Sequence, residues 1–185
     1  MKLSILIPSL AGRYYQRHDL IESLQKQDLT GVEILTEIDK GENSIGYKRN
    51  KLLEKAQGEY VAFIDDDDVI AKTYIKQLME GINKGVDCCS LMGIYTVDDM
   101  GGDIFEHSIK YKEYKTNPPT SGIRYERYPN HLNCIKADIA KRFKFLEINH
   151  GEDTQWATDV FKSGLIKTEH TIGDVIYHYK FRSQK

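Results

Sequence analysis

The chain has 185 residues, enough for one domain with a sizeable core and too few for two. Its 26 Lys and Arg residues nearly balance 28 Asp and Glu residues, so the formal net charge of −2 gives no overall attraction to nucleic acid or membrane surfaces. No apolar run reaches the length of a transmembrane helix. The three cysteines include an adjacent pair and form no CxxC motif, which indicates buried thiols in a reducing, cytoplasmic environment.

The first half of the chain alternates three predicted strands with three predicted helices. The strands are apolar runs rich in β-forming residues, and the helices carry apolar residues at helical spacing. In chain order they are strand 2–7, helix 18–27, strand 32–38, helix 45–56, strand 60–64 and helix 71–83. This alternation predicts an α/β fold in which helices cover both faces of a mostly parallel sheet.

The pattern changes after residue 86. We predict strand structure over 86–97, a turn over 98–103, an extended arm over 104–114, a loop over 117–122, a strand over 131–136, a short helix from residue 137, a helix over 151–162 and strands over 165–170 and 175–181. Residues 110–144 hold nine Lys or Arg and three Asp or Glu, a surplus of six positive charges interleaved with tyrosines. We find no linker that would divide the chain into domains.

Four consecutive carboxylates, Asp65 to Asp68, follow the third predicted strand. Ligands bind beyond the carboxyl ends of strands in open α/β sheets. Like charges this close raise one another's pKa, and a bound cation relieves the repulsion. Hard cations such as Mg²⁺, Mn²⁺ and Ca²⁺ prefer oxygen ligands. An acidic cap on the next helix is the alternative, but one Asp would suffice for that. The run therefore predicts a metal site.

Three polar positions follow the first three strands and outline one crevice: Pro8-Ser9, Asp39 and the acidic run. A crevice in this half of such a sheet commonly holds a nucleotide. The chain contains neither GxGxxG after the first strand nor GxxxxGK[ST], so a Rossmann turn or a P-loop does not hold the phosphates. We expect a metal on the acidic run, helped by basic groups, to hold them.

The order and spacing of these motifs resemble family-2 glycosyltransferases, which have the GT-A fold. The matching stretches are SILIPSL, Asp39, GYKRN at 46–50, AQGEYVAFIDDDD at 56–68, HGEDTQWA at 150–157 and YHY at 177–179. The resemblance implies a single GT-A-type domain over 1–185. A Rossmann-like half at about 1–97 would bind a nucleotide-sugar, with UDP expected, and a half at about 98–185 would bind the acceptor and supply the catalytic base.

The resemblance also implies residue roles in the donor site. Asp39 would bind the base of the nucleotide, Asp65 the ribose, and Asp67 a Mn²⁺ or Mg²⁺ ion. Further donor contacts would come from Pro8, Ser9, Arg49 and Asp66. Arg49 would reach a phosphate or only pair with a carboxylate at the end of the sheet, and these alternatives stand equal. His178 would be a metal or phosphate ligand or an edge histidine, with the ligand favoured slightly.

Asp153 is the catalytic base that the resemblance implies. A cation on the leaving diphosphate stabilises the developing charge, while a carboxylate on the opposite face of the sugar takes the acceptor proton. Attack from that face without a protein nucleophile implies inversion at the anomeric carbon. Acids at a helix start also favour the positive end of its dipole, so a capping role is the alternative for Asp153.

The acceptor is expected to contact the second half of the chain. The candidates are Glu152, Trp156, Arg124 and Arg127. For Trp156 the alternative is a place in the core, which is favoured, and for the basic segment it is a solvated face, which stands equal. Positive charge among tyrosines suits an acidic acceptor glycan, a lipid-linked sugar or a nucleic acid with a hydroxylated base.

Three other functions compete with glycosyl transfer. FIDDDDV fits the nucleophile loop of haloacid-dehalogenase-type phosphatases, with Asp65 attacking phosphate and Asp67 as acid and base, but that strand usually comes first in the sheet. A sugar-nucleotide nucleotidyltransferase needs a Gly-rich basic loop after the first strand, and residues 10–13 match it poorly. A Ca²⁺-dependent carbohydrate-binding module would bind sugar without a nucleotide.

Overall fold

A computed structural model describes residues 1–183. The first half contains β1 (Leu3–Leu10), a 3₁₀ turn (Ala11–Arg13), α1 (Tyr14–Gln25), β2 (Val32–Asp39), α2 (Ile45–Lys55), β3 (Tyr60–Phe63), β4 (Val69–Ile70) and α3 (Tyr74–Asn83). The second half contains β5 (Cys88–Cys89), β6 (Leu91–Val97), β7 (Met100–His107), β8 (Lys115–Thr116), β9 (Tyr125–Arg127), β10 (Ile135–Lys136), α4 (Ala137–Ala140), α5 (Glu152–Ser163), β11 (Glu169–His170) and β12 (Tyr177–Phe181). Over the described residues, every helix is too short or too polar to cross a membrane.

The strands form two six-stranded sheets, ordered β11-β5-β10-β3-β1-β2 and β4-β12-β6-β7-β9-β8. In the first sheet β1 pairs in parallel with both β2 and β3, as the alternating pattern predicted, and β10 joins β3 in the antiparallel direction. In the second sheet β6 pairs antiparallel with β7 and parallel with β12. The α/β class is confirmed, but two mixed sheets stand where one mostly parallel sheet was expected.

A tight hairpin accounts for part of this difference. Between β6 and β7 lie Asp98 and Asp99, with φ angles of 50° and 62°. Two central residues at positive φ give a turn whose twist matches the flanking strands. The rest of the expected turn and the first part of the expected arm therefore belong to β7, which crosses the second sheet as a full strand.

The first strand runs further than its sequence suggested. Pro8 and Ser9, expected to end it, lie inside β1, which stays paired with β2 as far as Leu10 opposite Asp39. The partner on the other side, β3, pairs with β1 only at Leu3–Leu6. Pro8 thus has a neighbouring strand on one side, where its missing N–H is tolerated. This extension carries Ser9 to the mouth of the crevice.

The first sheet is covered on both faces, as predicted. On one face Leu24 of α1 and Ile75 of α3 pack with Ile5 of β1. On the other, Leu52 of α2 and Trp156 of α5 pack with Leu6, Val61 and Phe63. Helices α2 and α5 therefore lie on the same face of the first sheet, and both carry site residues near their amino-terminal ends.

Candidate active site

Two cavities meet where β1 and β3 end. The crevice cavity, of about 620 Å³, is lined by Pro8, Ser9, Leu10, Arg13, Gly41, Asn43, Ile45, Lys48, Arg49, residues 65–67, His131, residues 149–153, Tyr179 and Phe181. The aromatic cavity, of about 380 Å³, is lined by Tyr95, Phe105, His107, Tyr114, Tyr125, Arg127, residues 130–132, Asp153, Thr154 and Tyr179. His131, Asp153 and Tyr179 line both cavities and therefore mark their junction.

Asp66 and Asp67 share one arginine. Ser9 Oγ donates to Asp66 Oδ2 at 2.6 Å, and Arg13 Nη1 donates to Asp66 Oδ1 at 2.8 Å. The same Nη1 lies 3.0 Å from Asp67 Oδ2. The Asp67 side chain is 26% exposed whereas that of Asp66 is 2% exposed, and burial raises the pKa of Asp67 although Arg13 opposes the shift. Asp67 is thus the accessible carboxylate of the two.

The outer two aspartates have different partners. Asp65 accepts a hydrogen bond from Arg49 Nη2 at 3.0 Å; burial alone would raise its pKa, but the charge of Arg49 holds it well below the usual range. Asp68 accepts from Tyr177 Oη at 2.7 Å and from a backbone N–H of β12 at 2.8 Å. Burial raises the pKa of Asp68 well above its ordinary value. Asp68 therefore ties β12 to the acidic loop.

Asp39 is held at the end of β2 by a buried lysine. Lys48 Nζ donates to Asp39 Oδ1 at 2.9 Å and to the Ser9 carbonyl at 3.0 Å. Burial would raise the pKa of Asp39, but Lys48 and the N–H groups of Asn43 and Gly41 lower it to about 2. A fixed carboxylate beside an ammonium group can pair with the hydrogen-bonding edge of a nucleotide base.

Arg49 joins the two halves of the chain. Its guanidinium contacts Glu152 and Asp65 and lies 3.1 Å from His131 Nε2. The side chains of Arg49 and Glu152 are 4% and 5% exposed. Arg49 therefore pairs with a carboxylate at the sheet end, one of the two roles expected for it, while still lining the crevice cavity. Glu152, expected to contact the acceptor, is buried in this ion pair.

Asp153 stands at the cavity junction in the first turn of α5. Its side chain is 38% exposed, and the N–H of Thr154 donates to its Oδ1 at 2.8 Å. Its Oδ2 lies 3.9 Å from His131 Nδ1. Glycine at position 151 has a φ of 85°, a conformation that few other residues adopt, and it turns the chain into α5. Asp153 thus has one oxygen fixed and one open to the junction.

Two predicted site residues face elsewhere. Trp156 is 1% exposed and stacks on Phe145, with ring centroids 5.0 Å apart, so its expected acceptor contact is wrong. His178 bonds Thr96 at 2.9 Å, while its neighbour Tyr179 lines both cavities. Alternate residues of a strand face opposite sides, so the expected metal or phosphate contact of His178 is also wrong.

Of the two candidate arginines in the basic segment, one lines a cavity and the other does not. Arg127 lines the aromatic cavity, with its guanidinium 4.5 Å from the ring centroid of Tyr114 and 5.6 Å from that of Tyr125. Arg124 lies 3.8 Å from Asp103 and does not line either cavity. At the bottom of the aromatic cavity, burial lowers the pKa of His107 to about 3, so its ring is neutral.

Several residues that the fold brings to the site were not predicted from the sequence. They are Arg13, Lys48, His131, Tyr177 and Tyr179. Lys48 and the two tyrosines lie inside GYKRN and YHY, so the motifs marked their segments but not the faces on which their side chains lie. Nothing in the local sequence distinguishes His131, because its role depends on residues that are distant in the chain.

The residues at the acidic loop fit a hard divalent cation. Asp67 offers a partly exposed oxygen ligand, and burial disfavours its charge unless a cation is near. Mg²⁺ and similar ions are commonly held by one or two carboxylates together with substrate phosphates. Arg13 already supplies one positive charge at this place, so a cation would share or displace that contact.

Comparison with known proteins identifies the family. Residues 18–148 match the model described as glycosyl transferase family 2, well over half of the chain. The chain belongs to glycosyl transferase family 2. This membership favours glycosyl transfer over the phosphatase, nucleotidyltransferase and carbohydrate-binding alternatives.

Relatives of this family-2 chain include a longer curated enzyme. GalNAc(5)-diNAcBac-PP-undecaprenol beta-1,3-glucosyltransferase of Campylobacter jejuni is 28% identical over 110 residues, which cover 45% of this chain and 35% of that protein. This chain therefore spans much less than two thirds of the length of that relative.

Solved structures confirm the GT-A-type fold. S. aureus TarS 1-349 in complex with UDP-GlcNAc superposes with a TM-score of 0.73 at 19% identity, covering all of this family-2 chain and 60% of the TarS 1-349 chain. The mannosyltransferase PcManGT of Pyrobaculum calidifontis, in complex with GDP-Man and Mn²⁺, gives a TM-score of 0.62 at 12% identity, with coverage of 96% and 56%. At these identities the likeness concerns the fold alone.

Proposed function

We propose that this chain transfers a sugar from a nucleotide-sugar, with UDP as the nucleotide, to an acceptor hydroxyl. One observation carries the proposal: Asp153 lines both the crevice cavity and the aromatic cavity. A base at the junction of two cavities is placed to take a proton from a group in one while that group attacks a carbon held in the other. Family membership and the UDP-GlcNAc complex of TarS support this assignment.

The crevice cavity is the proposed donor site. Asp39 and Lys48 would bind the base, Asp65 the ribose, and Arg13 the diphosphate. Asp67 would hold Mn²⁺ or Mg²⁺, which when bound supplies positive charge to the leaving diphosphate. Arg13 lies 3.0 Å from Asp67 and so adds its charge at the same place.

Asp153 is the proposed base of a direct displacement. It takes the proton of the acceptor hydroxyl as that oxygen forms a bond to the anomeric carbon. The bond from that carbon to the phosphate oxygen breaks, and the nucleoside diphosphate leaves with the electron pair. One displacement inverts the anomeric configuration. The open Oδ2 of Asp153 is the proposed proton acceptor, since Oδ1 already accepts from the N–H of Thr154.

The aromatic cavity is the proposed acceptor site. At about 380 Å³ it falls at the small end of the roughly 300–1,000 Å³ range of small-molecule pockets. Its tyrosine walls suit the faces of a sugar ring, and Arg127 offers a planar fork of N–H donors. We therefore propose a sugar that carries a phosphate or carboxylate, as in an acidic glycan or a lipid-linked sugar phosphate. Of the two candidate arginines, Arg127 is the proposed contact.

The first test combines donor binding with turnover. In thermal unfolding, UDP should raise the melting temperature in the presence of Mn²⁺, with a shift that grows with UDP concentration. Asp153→Asn should keep this shift because the base does not bind the donor. Release of UDP from UDP-sugars should fall at least about a hundredfold in that variant. Wild-type turnover by Asp153→Asn would contradict the assignment of the base, and an equal UDP shift in excess EDTA would contradict the metal.

A further inference from the structure

We infer that His131 is a positioning residue that orients the base Asp153 through a hydrogen bond from its Nδ1–H. The inference rests on the proposed role of Asp153 and adds a residue that no motif indicated. His131 lines both cavities, and its side chain is 4% exposed.

The partners of His131 fix where its proton lies. Arg49 Nη2 is 3.1 Å from His131 Nε2. A guanidinium group can only donate hydrogen bonds, so Nε2 must accept through its lone pair. A neutral imidazole has one proton, which is then on Nδ1. Arg49 Nη2 carries two hydrogens, which allows it to donate to Asp65 Oδ1 at 3.0 Å as well.

The Nδ1–H group of His131 is buried and lacks a hydrogen-bond partner within residues 1–183. A buried donor without a partner is costly, and such groups commonly find a partner when a ligand binds. Asp153 Oδ2 lies 3.9 Å away, just beyond hydrogen-bond distance. Catalytic hydrogen bonds are often long in unliganded enzymes and tighten in the substrate complex.

Asp153 is the partner that can move. The His131 ring is enclosed by Phe63 and Phe145, with centroids at 6.2 and 6.5 Å. Its Nε2 is anchored by Arg49, which is itself held by carboxylates. Asp153 is 38% exposed, so its carboxylate has room to turn. A turn of Oδ2 toward Nδ1–H would complete the bond and fix the carboxylate at the cavity junction.

The arrangement also connects the donor site to the base. Asp65, proposed to hold the ribose, and His131 share the same Nη2 of Arg49. A donor that binds Asp65 would therefore change the hydrogen bonds of Arg49. Because Arg49 orients His131, this change would also reach Asp153. His131 thus orients the base and does not itself exchange a proton with the acceptor.

Histidine NMR tests the proton position without any turnover. Long-range ¹H–¹⁵N correlation spectra should show His131 as the neutral Nδ1–H tautomer, with its signals assigned by their absence in His131→Asn. A neutral Nε2–H tautomer or a protonated ring would overturn the inference. Because this measurement needs no substrate, its outcome is independent of whether the chain transfers a sugar.

Two variants then separate positioning from a structural role. His131→Phe keeps a ring in the pocket but removes Nδ1–H, whereas His131→Asn retains an amide N–H near the Nδ1 position. We expect His131→Phe to lower kcat for UDP release from UDP-GlcNAc in Mn²⁺ by about tenfold or more with KM unchanged, and His131→Asn to recover much of the loss. Equal kcat in all three proteins, or a parallel loss of UDP affinity in His131→Phe, would overturn the inference. Failure of the wild type to turn over any UDP-sugar would instead contradict the proposed function.

Discussion

Arg13 does at the acidic loop what a bound cation would do. Its Nη1 lies 2.8 Å from Asp66 and 3.0 Å from Asp67, so one guanidinium partly neutralises two carboxylates. Burial raises the pKa of Asp67, and Arg13 is the positive group that opposes this rise. A metal that binds Asp67 therefore competes with Arg13 for the same oxygen.

This competition gives a prediction for metal binding. Arg13→Gln should bind Mn²⁺ about tenfold more tightly in the absence of nucleotide, a difference of about 1.4 kcal/mol. Isothermal titration calorimetry of the nucleotide-free protein measures the affinity directly. Arg17→Gln is the matched control, because Arg17 donates to Ser9 Oγ and to the Leu10 carbonyl and not to the acidic loop. Unchanged Mn²⁺ affinity in Arg13→Gln would mean that the arginine and the metal do not compete.

Residues inside motifs were the predictable part of the site. Asp65, Asp66, Asp67 and Asp153 reach the crevice cavity as expected, because each directly follows a recognisable strand or begins a recognisable helix. His178 was misassigned because a strand's alternation is visible in sequence but its inward face is not. Arg13 and His131 were missed since their contacts join residues more than twenty positions apart.

At the level of elements, a close backbone contact explains why the GYKRN motif begins with glycine, at Gly46. A Cβ atom there would collide with the backbone carbonyl of Leu146, and the Gly46 N–H donates to the Ile148 carbonyl at 3.3 Å. The start of α2 therefore packs directly on the segment that leads into α5 and Asp153. Sequence shows the glycine but not this contact, because the two segments are a hundred residues apart.

The far edge of the first sheet depends on one carboxylate. Asp87 accepts hydrogen bonds from Lys136 Nζ at 2.9 Å and from the N–H groups of Lys167 and Thr168 at 2.9 and 3.0 Å. It thus ties the segment before β5 to β10 and to the segment before β11. Burial alone would raise the pKa of Asp87, but these bonds lower it to about 2.

Asp87 gives a pH-dependent stability prediction. A carboxyl whose folded pKa is lowered stabilises the fold above its unfolded pKa of 3.8, and that contribution is lost as the pH falls toward about 2. Asp87→Asn should therefore lower the melting temperature by about 2–4 °C near neutral pH, from loss of about 1 kcal/mol. The difference from wild type should shrink over that acid range. Asp19→Asn, at an 81% exposed side chain of α1, serves as the control. A pH-independent difference would contradict the assignment.

For the whole molecule, the net charge of −2 means that charge recognition must be local. The basic residues that give 110–144 its surplus of six positive charges do not act together: Arg127 lines the aromatic cavity, Lys136 bonds Asp87 and Lys141 bonds the Ala56 carbonyl. Arg124 lies 3.8 Å from Asp103. Arg127 donates to the Glu126 carbonyl at 3.5 Å, and most of its N–H groups remain available to the aromatic cavity. Arg124 therefore belongs to the surface, whereas Arg127 stays a candidate for the proposed acceptor contact.

The acceptor proposal predicts a preference between two matched sugars. Methyl β-glucuronide, which carries a carboxylate, should bind more tightly than neutral methyl β-glucoside, and the preference should fall as ionic strength rises. Arg127→Gln should abolish the preference and Arg124→Gln should retain it, with UDP affinity unchanged in both. Saturation-transfer NMR titrations of the two sugars with wild type and both variants measure the six affinities. Equal binding of the two sugars by wild type would indicate a neutral acceptor.

The first half of the fold was predictable because strand and helix alternate there with clear spacing, and β1, β2 and β3 pair as expected. The second sheet was not, because β8 and β9 have two and three residues and their pairing depends on partners elsewhere in the chain. Short strands carry too little periodicity to be placed from sequence. The aromatic cavity, which is lined in part by strands of the second sheet, could not be inferred for the same reason.

The contacts of Arg49 also bear on when the site appears as the chain folds. Its bond to Asp65 spans 16 residues, whereas its bond to Glu152 spans 103. Closing the longer loop costs chain entropy before any gain is realised, and the buried charges stabilise one another only once water has been excluded. We therefore expect the junction of the two cavities to be assembled late, so that a partly folded chain would not yet have the proposed base beside the proposed donor site. On the proposed function, such a chain would not hydrolyse its donor prematurely.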